Sequence, residues 1–315
     1  MIATLSKAPN YSTNVRIHTG RQWAARFLFR AMWRIAPAWT RRRVEERFFI
    51  PRAYNANATE RQWLDRAQTF QLEVHEAQIH AWQWGRGPAV MLLHGWNGRG
   101  IQLHSFIAPL LDARCTVVAV DGPAHGASRG KSASYFEFTD AVSALLTGHP
   151  GRPFCGVVAH SFGAAAVVNS LAHLQLPIPA VLLAPSLRLR ALLDHTFAQY
   201  GLPEAIYQPI ITTYEERFGY SFREDDPHLR LKDLCAPALV IHDRDDPTVA
   251  YEDSRTLCSE HAHLSLHTTR GLGHRSILGD PGVVATSVAF IERSARPRAP
   301  GAGSGLAEVR QTVHT

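Results

Sequence analysis

Residues 154–166 read Phe-Cys-Gly-Val-Val-Ala-His-Ser-Phe-Gly-Ala-Ala-Ala, which sets Ser161 between an apolar, strand-like run and a small-residue, helix-like run. A serine on such a turn is a candidate nucleophile. The residues two before and two after it, Ala159 and Gly163, are small, as a bend requires where strand and helix nearly touch. A serine hydroxyl is a weak nucleophile at neutral pH, so it needs a base within hydrogen-bond reach and donors for the oxyanion formed on attack. Candidates lie downstream. The apolar run 238–242 opens into Asp243-Arg244-Asp245-Asp246-Pro247, a carboxylate cluster at the exit of an expected strand. A second strand-like run, 264–269, leads into Gly271-Leu272-Gly273-His274, a histidine on a glycine-flanked loop. Such a histidine can take the serine proton on one ring nitrogen when a carboxylate holds the other. Any of the three aspartates could instead be a turn or helix-cap residue.

The order Ser, Asp, His, with the nucleophile on a strand-turn-helix, resembles the α/β-hydrolase fold family over about residues 70–292. Two further motifs agree. Leu92-Leu93-His94-Gly95-Trp96 is similar to that family's His-Gly oxyanion loop, and residues 121–128, Asp-Gly-Pro-Ala-His-Gly-Ala-Ser, to its Asp-x-Pro-x-His-Gly-x-Ser loop. The pentapeptide around Ser161 is weak evidence alone, but four motifs in this order are specific. Two positions depart from the pattern: Ala159 replaces the usual glycine, and Asp243 stands where many relatives carry glycine. The resemblance implies Asp246 as the acid, with Asp245 as the second choice. It also implies the backbone amides of Phe162 and Trp96 as oxyanion donors. The activity implied is that of a serine hydrolase acting through an acyl-enzyme on an ester or related acyl bond of a small hydrophobic substrate. Acyl transfer, C–C or amide hydrolysis on the same triad, and a non-enzymatic binding role are the alternatives, because fold likeness cannot choose among chemistries. An intact triad argues against the last.

These residues need a scaffold, and the pattern supplies one. Strands are expected at 71–75, 78–84, 89–94, 116–120, 154–159, 180–184, 238–242 and 264–269, with a hairpin turning at Glu76-Ala77. Helices are expected at 101–113, 134–146, 162–174, 250–260 and 282–293. Their alternation predicts an α/β fold with a mostly parallel central sheet flanked by helices. At 315 residues and 45% hydrophobic content, one large core with appendages is favoured over two equal domains. The division reads as a basic N-terminal helical arm at 1–69, core at 70–184 and 234–293, a helical cap insertion at 185–233, and a disordered tail rich in Gly, Ala, Pro and Arg at 294–315.

The insertion carries Leu187, Leu189, Leu192, Leu193, Phe197, Tyr200, Ile206, Tyr207, Ile210, Ile211, Tyr214 and Phe218 with little strand character. By the resemblance it would cover the nucleophile and line a hydrophobic pocket, although any one of these side chains could simply pack the insertion onto the core.

Charge is uneven. Residues 1–52 hold eleven Lys and Arg against two Glu, a net of +9, while the whole chain carries +6 and the remainder is therefore −3. Arg26, Arg30 and Arg34 recur every four residues beside Trp23, Phe27, Leu28, Met32, Trp33 and Ile35. The favoured reading packs this arm on its own domain or on a dimer partner, with the arginines solvated; the second lays it on an anionic membrane face. No nucleic-acid module surrounds the arginines. They interrupt every apolar run well short of the roughly 20 residues a span requires, which argues against a transmembrane segment or a secretory signal.

The expected location is cytoplasmic, with peripheral contact at the inner membrane face as the variant. Cys115, Cys155, Cys235 and Cys258 show no paired spacing and read as reduced, mostly buried thiols. No cofactor or metal is expected: Asn97-Gly98-Arg99-Gly100 is too short for a phosphate loop and lacks its Lys-Ser/Thr ending, and His261, His263 and His267, near or on one half-exposed strand, read as ordinary surface residues. His94 and His125 are expected to hold their loops by hydrogen bonds, and His160 to face the pocket floor.

Overall fold

The computed structural model describes residues 21–151 and 153–295, with side chains described for 27–151 and 153–294. Of the tail expected at 294–315, Ser294 and Ala295 instead end the last helix and the rest lies outside the described residues, as do the side chains of Trp23 and Arg26 in the arm. Helices α1 (Arg21–Ile35), α2 (Pro37–Phe48) and α3 (Ala58–Leu64) precede the sheet. Strands β1 (Gln68–Val74) and β2 (Ala77–Trp84) form an antiparallel hairpin, and β2 lies antiparallel on β4 (Thr116–Val120). Beyond it β3 (Ala89–Leu93), β5 (Phe154–His160), β6 (Ala180–Leu183), β7 (Ala238–Asp243) and β8 (Leu264–Thr269) run parallel, giving an eight-stranded sheet in the order β1-β2-β4-β3-β5-β6-β7-β8.

The central strands are apolar without interruption because both faces are covered. Along β3, Met91 and Leu93 point into the core beneath α5 (Tyr135–Gly148) and α6 (Ser161–His173), while Val90 and Leu92 point into the other. That second core is closed by a 3₁₀ segment, Gly100–Phe106, by α4 (Ile107–Asp112) and by α13 (Pro281–Ala295), the last of the helices. Period-two alternation thus serves two helix layers from one strand. The chain moves from β3 to β4 on one side and later to β5 on the other, so the carboxyl ends of β3 and β5 flank a crevice where open α/β sheets place their ligands.

Two expectations need correction. The hairpin turns at His75-Glu76, one residue earlier than expected, with Val74 opposite Ala77. His75 adopts φ 52°, the left-handed geometry that a two-residue hairpin turn needs, and Ala77 is thereby drawn into β2 and buried. The single helix expected at 101–113 is broken: Leu103 leaves helical geometry, and Pro109, which has no N–H to donate, sits in the first turn of α4.

Between β6 and β7 the chain builds α7 (Leu189–Gln199), α8 (Glu204–Phe218), α9 (Phe222–Asp225), α10 (Pro227–Arg230) and a 3₁₀ turn, Leu231–Asp233. The buried Asp226 carboxylate fastens this insertion by accepting the Leu189 and Arg190 amides at 3.0 and 3.3 Å. Tyr135 and Tyr220 tie it to α5 through Asp225 and Asp140. After β7 come α11 (Tyr251–Glu260), β8 and the short α12 (Gly273–Ser276).

The arm has two faces. Thr40 and Val44 of α2 are fully buried, and Phe29 and Trp33 of α1 lie half-buried against the core. Phe27, Leu28 and Ile35 face solvent, as do Arg30 and Arg34. Among the described residues no helix is long and apolar enough to cross a membrane. All four cysteines are free; Cys115 is buried, Cys155 and Cys258 are half-buried and Cys235 is exposed, so fewer are buried than expected.

Candidate active site

Ser161 sits where β5 stops and α6 begins, with φ 52°. A non-glycine residue held in left-handed geometry costs about 1–2 kcal/mol, and such strain collects at functional positions. The turn is possible because its neighbours are small. A Cβ on Gly163 would come within 2.2 Å of the His94 carbonyl oxygen, and one on Gly95 within 2.9 Å of the Ser161 Cβ, so both loops depend on glycine for this approach.

The loops after β7 and β8 bring the other two residues to the serine. His274 Nε2 accepts from the Ser161 hydroxyl at 3.0 Å, and its Nδ1–H donates to Asp246 Oδ2 at 2.7 Å. Asp246 is closed off from solvent and saturated with donors: Oδ1 accepts the Thr248 and Val249 amides at 2.7 and 3.0 Å, and Oδ2 also accepts from His242 Nε2 at 3.3 Å. Burial works to raise this carboxyl, but the hydrogen bonds from His242, His274 and Val249 outweigh it and hold the group well below the usual carboxylate range. It is therefore an anion beside His274 at any ordinary pH.

The two neighbouring aspartates do other things. Asp245 is exposed and accepts the Gly271 amide. Asp243 is fully buried and accepts from the Asp245 amide, the Thr269 hydroxyl and the Leu272 amide at 2.7–3.0 Å, which staples the His274 loop to the end of β7. It is a turn residue, as its type allows, and a fully buried one that fastens the loop.

Trp96 lies in the loop after β3 and Phe162 is the second residue of α6, where first-turn amides have no acceptor within the helix. Among the described residues neither amide donates to another backbone group. His94 and His125 hold the two flanking loops, as expected. His94 donates from Nδ1 to the Gly95 carbonyl and accepts the Gly122 amide on Nε2; His125 donates to the Pro123 carbonyl and accepts the Asn97 amide.

His160 departs from expectation. Its ring turns away from the apolar pocket, donates from Nε2 to the His274 carbonyl at 2.9 Å, and lines a separate polar cavity with Gly95, Asn97 and Arg275. Three further residues at the site belong to no motif: Ser186, whose hydroxyl lies 3.4 Å from that of Ser161; His242, a fully buried imidazole at the end of β7; and Ser254, which meets His242 Nδ1 at 2.7 Å. A histidine inside the apolar run 238–242 was the one available hint for His242.

The hydroxyl of Ser161 opens onto an apolar cavity of about 210 Å³. Trp96, Tyr135 and Phe162 wall it from the core, and Leu189, Leu193 and Phe197 from the insertion. Of the insertion's other apolar residues, Ile206 and Ile210 are packing only, and Tyr200 is exposed.

Burial leaves a pH signature in stability. It pushes His125 down to about 4 and His160 to about 3, the latter helped by the adjacent His274, and holds His94 well below the ordinary range. Each binds a proton in the unfolded chain below about 6.5 but not in the native one, so stability falls by up to about 1.4 kcal/mol per pH unit per group as the pH drops below that point. Asp121 opposes them in part: burial, against Arg99 and two backbone amides, lifts it to about 6, so the native state gains a proton there first. His80, lowered by burial, adds to the imidazoles and Glu137, raised by burial, adds to Asp121, so four groups stand against two. The melting temperature should fall by several degrees between pH 7 and pH 5; a flat profile by calorimetry would show that the imidazoles are not buried neutral.

Residues 90–287 match the group described as the Alpha/beta hydrolase family. A curated relative, the magnesium-chelatase 30 kDa subunit of Rhodobacter capsulatus, is 35% identical over 113 residues, which is 35% of this chain and 36% of that protein. The chain thus spans about a third of the length of the curated relative it matches. Among solved structures, an esterase of Pyrococcus furiosus superposes with a TM-score of 0.60 at 19% identity, covering 79% of this chain and 98% of the other. The thioesterase domain of a curacin biosynthetic pathway gives 0.53 at 18% identity, covering 71% and 98%. At these identities the likeness is one of fold.

Proposed function

Because the chain belongs to the alpha/beta hydrolase family, we propose that it cleaves an ester or related acyl bond of a hydrophobic substrate, with Ser161 as nucleophile, His274 as base and Asp246 as the acid that orients it. The observation that carries this reading is the continuous relay from Asp246 Oδ2 through both nitrogens of His274 to Ser161 Oγ. As Oγ bonds to the substrate carbonyl carbon, its proton passes to Nε2, and the Asp246 carboxylate stabilises the imidazolium. The Trp96 and Phe162 amides receive the oxyanion. Collapse expels the alcohol or thiol, which takes the proton from His274, and leaves an acyl-enzyme. Water then repeats the sequence in reverse. The residues after β6 act as a cap whose leucines and aromatics receive the acyl group.

The test is a panel of p-nitrophenyl esters of increasing acyl length, run with and without an added alcohol acceptor. Turnover with a clear length optimum supports the reading. Faster product release with the alcohol present would move the assignment to acyl transfer, and no turnover across the panel would overturn ester cleavage.

A further inference from the structure

Resting on the serine-hydrolase reading above, we propose that Phe48 and Phe49 of the N-terminal arm are specificity-determining walls of the acyl cavity, so that a segment outside the family-matched residues limits the acyl length accepted. Both side chains border the cavity that holds the Ser161 hydroxyl. They come from the end of α2, more than forty residues before the family match begins. Neither hangs loosely at the rim. Phe48 meets the buried Phe197 ring edge-on at 4.9 Å, and Phe49 stacks on Tyr214 at 4.5 Å with the planes 13° apart; Phe197 and Tyr214 line the same cavity from the insertion.

The backbone around the pair is held as firmly as the rings. The Phe49 carbonyl accepts the Ala133 amide at 2.8 Å, and the Arg52 amide donates to Asn97 Oδ1 at 2.7 Å, one residue past the oxyanion loop position Trp96. Buried Thr40 and Val44 seat the helix behind them. The two phenylalanines stay only half-buried in spite of these contacts, and both border the cavity. A chain extending from Ser161 among the insertion's leucines therefore meets an aromatic wall contributed by the arm. Apolar pockets discriminate by room: each methylene gained or refused changes kcat/KM by about tenfold or more.

The experiment measures kcat/KM for a short and a long p-nitrophenyl ester in the full chain. Phe48→Ala and Phe49→Ala should raise the long-to-short ratio by about tenfold or more, and Phe48→Trp and Phe49→Trp should lower it. Trp39→Ala, an exposed position of the same helix that does not border the cavity, should keep the wild-type ratio. If the alanine variants fail to fold, the tryptophan variants decide. Folded variants that all keep the wild-type ratio overturn the wall while leaving esterase activity standing. A wild-type chain that neither reacts with a fluorophosphonate nor turns over any ester overturns the reading beneath it, and the wall with it.

Discussion

Ser161→Ala is expected to lower kcat by about a million-fold and to abolish covalent labelling by a fluorophosphonate probe, with the cavity and the His274–Asp246 hydrogen bond left intact. Loss of the nucleophile removes the acyl-enzyme, and what remains is the modest effect of oxyanion donors and binding. The fold should not suffer. Ser161 already carries left-handed strain that alanine would share, so melting should change little, whereas Ser161→Gly should melt slightly higher while being equally inactive. Peptide mass mapping of the wild-type adduct should place the probe on Ser161. A wild-type protein that binds ligand in the cavity yet resists the probe would make this a binding member of the family.

Asp246→Asn should cost about 10³–10⁴-fold in kcat and should also melt lower, because a buried carboxylate held by four donors contributes stability that a neutral amide gives up. The reason lies in which oxygen does what. Oδ1 accepts two backbone amides, so the carboxamide oxygen of asparagine must take that place and the NH₂ must take the place of Oδ2. That nitrogen would face His274 Nδ1, forcing the proton onto Nε2 and pointing an N–H at the serine it should deprotonate. Asp245→Asn and Asp243→Asn should keep turnover within about tenfold, since neither carboxylate touches His274. Asp243→Asn should also melt lower, because an NH₂ placed against the Asp245 or Leu272 amide leaves donors facing donors, at about 1–3 kcal/mol. Comparable turnover of Asp246→Asn and wild type would move the role to Asp245 or outside the cluster.

Much of this architecture was legible in local pattern. β4 runs over the expected 116–120 because a short apolar run between turn residues has one good conformation in a parallel sheet, and β8 over 264–269 because its leucines alternate with polar residues and it ends in β-branched threonines. The serine's turn was legible for the same reason: small residues on both sides leave little else for the segment to be. The hairpin turn slipped by one residue because several neighbours were acceptable turn residues and only burial of Ala77 decided between them. The aspartates at 243, 245 and 246 are chemically identical, and their different tasks follow from directions set by the end of β7. His160 adjoins the nucleophile, but the strained turn at Ser161 sends the two side chains to different cavities, which adjacency in sequence does not reveal. The arm was the least readable part. Its Phe48 and Phe49 are ordinary helix-end aromatics until α7 and α8, some 150 residues later, are folded against them.

The antiparallel hairpin at the start of the sheet has a colloidal consequence. Strands β3 and β4 are five-residue apolar runs, each buried throughout, the kind of segment that pairs with a copy of itself when its edge is open. Laying β2 along β4 uses up that row of amides and carbonyls, and β1 in turn covers β2. The free edge then belongs to Gln68–Val74, with Gln68, Thr69, Gln71 and Glu73 exposed along it. At the opposite margin β8 carries Ser265, His267 and the threonines 268 and 269. Both borders of the sheet are thus polar and poor templates for another chain, and the segments with the strongest tendency to self-associate are the ones with no free edge to offer.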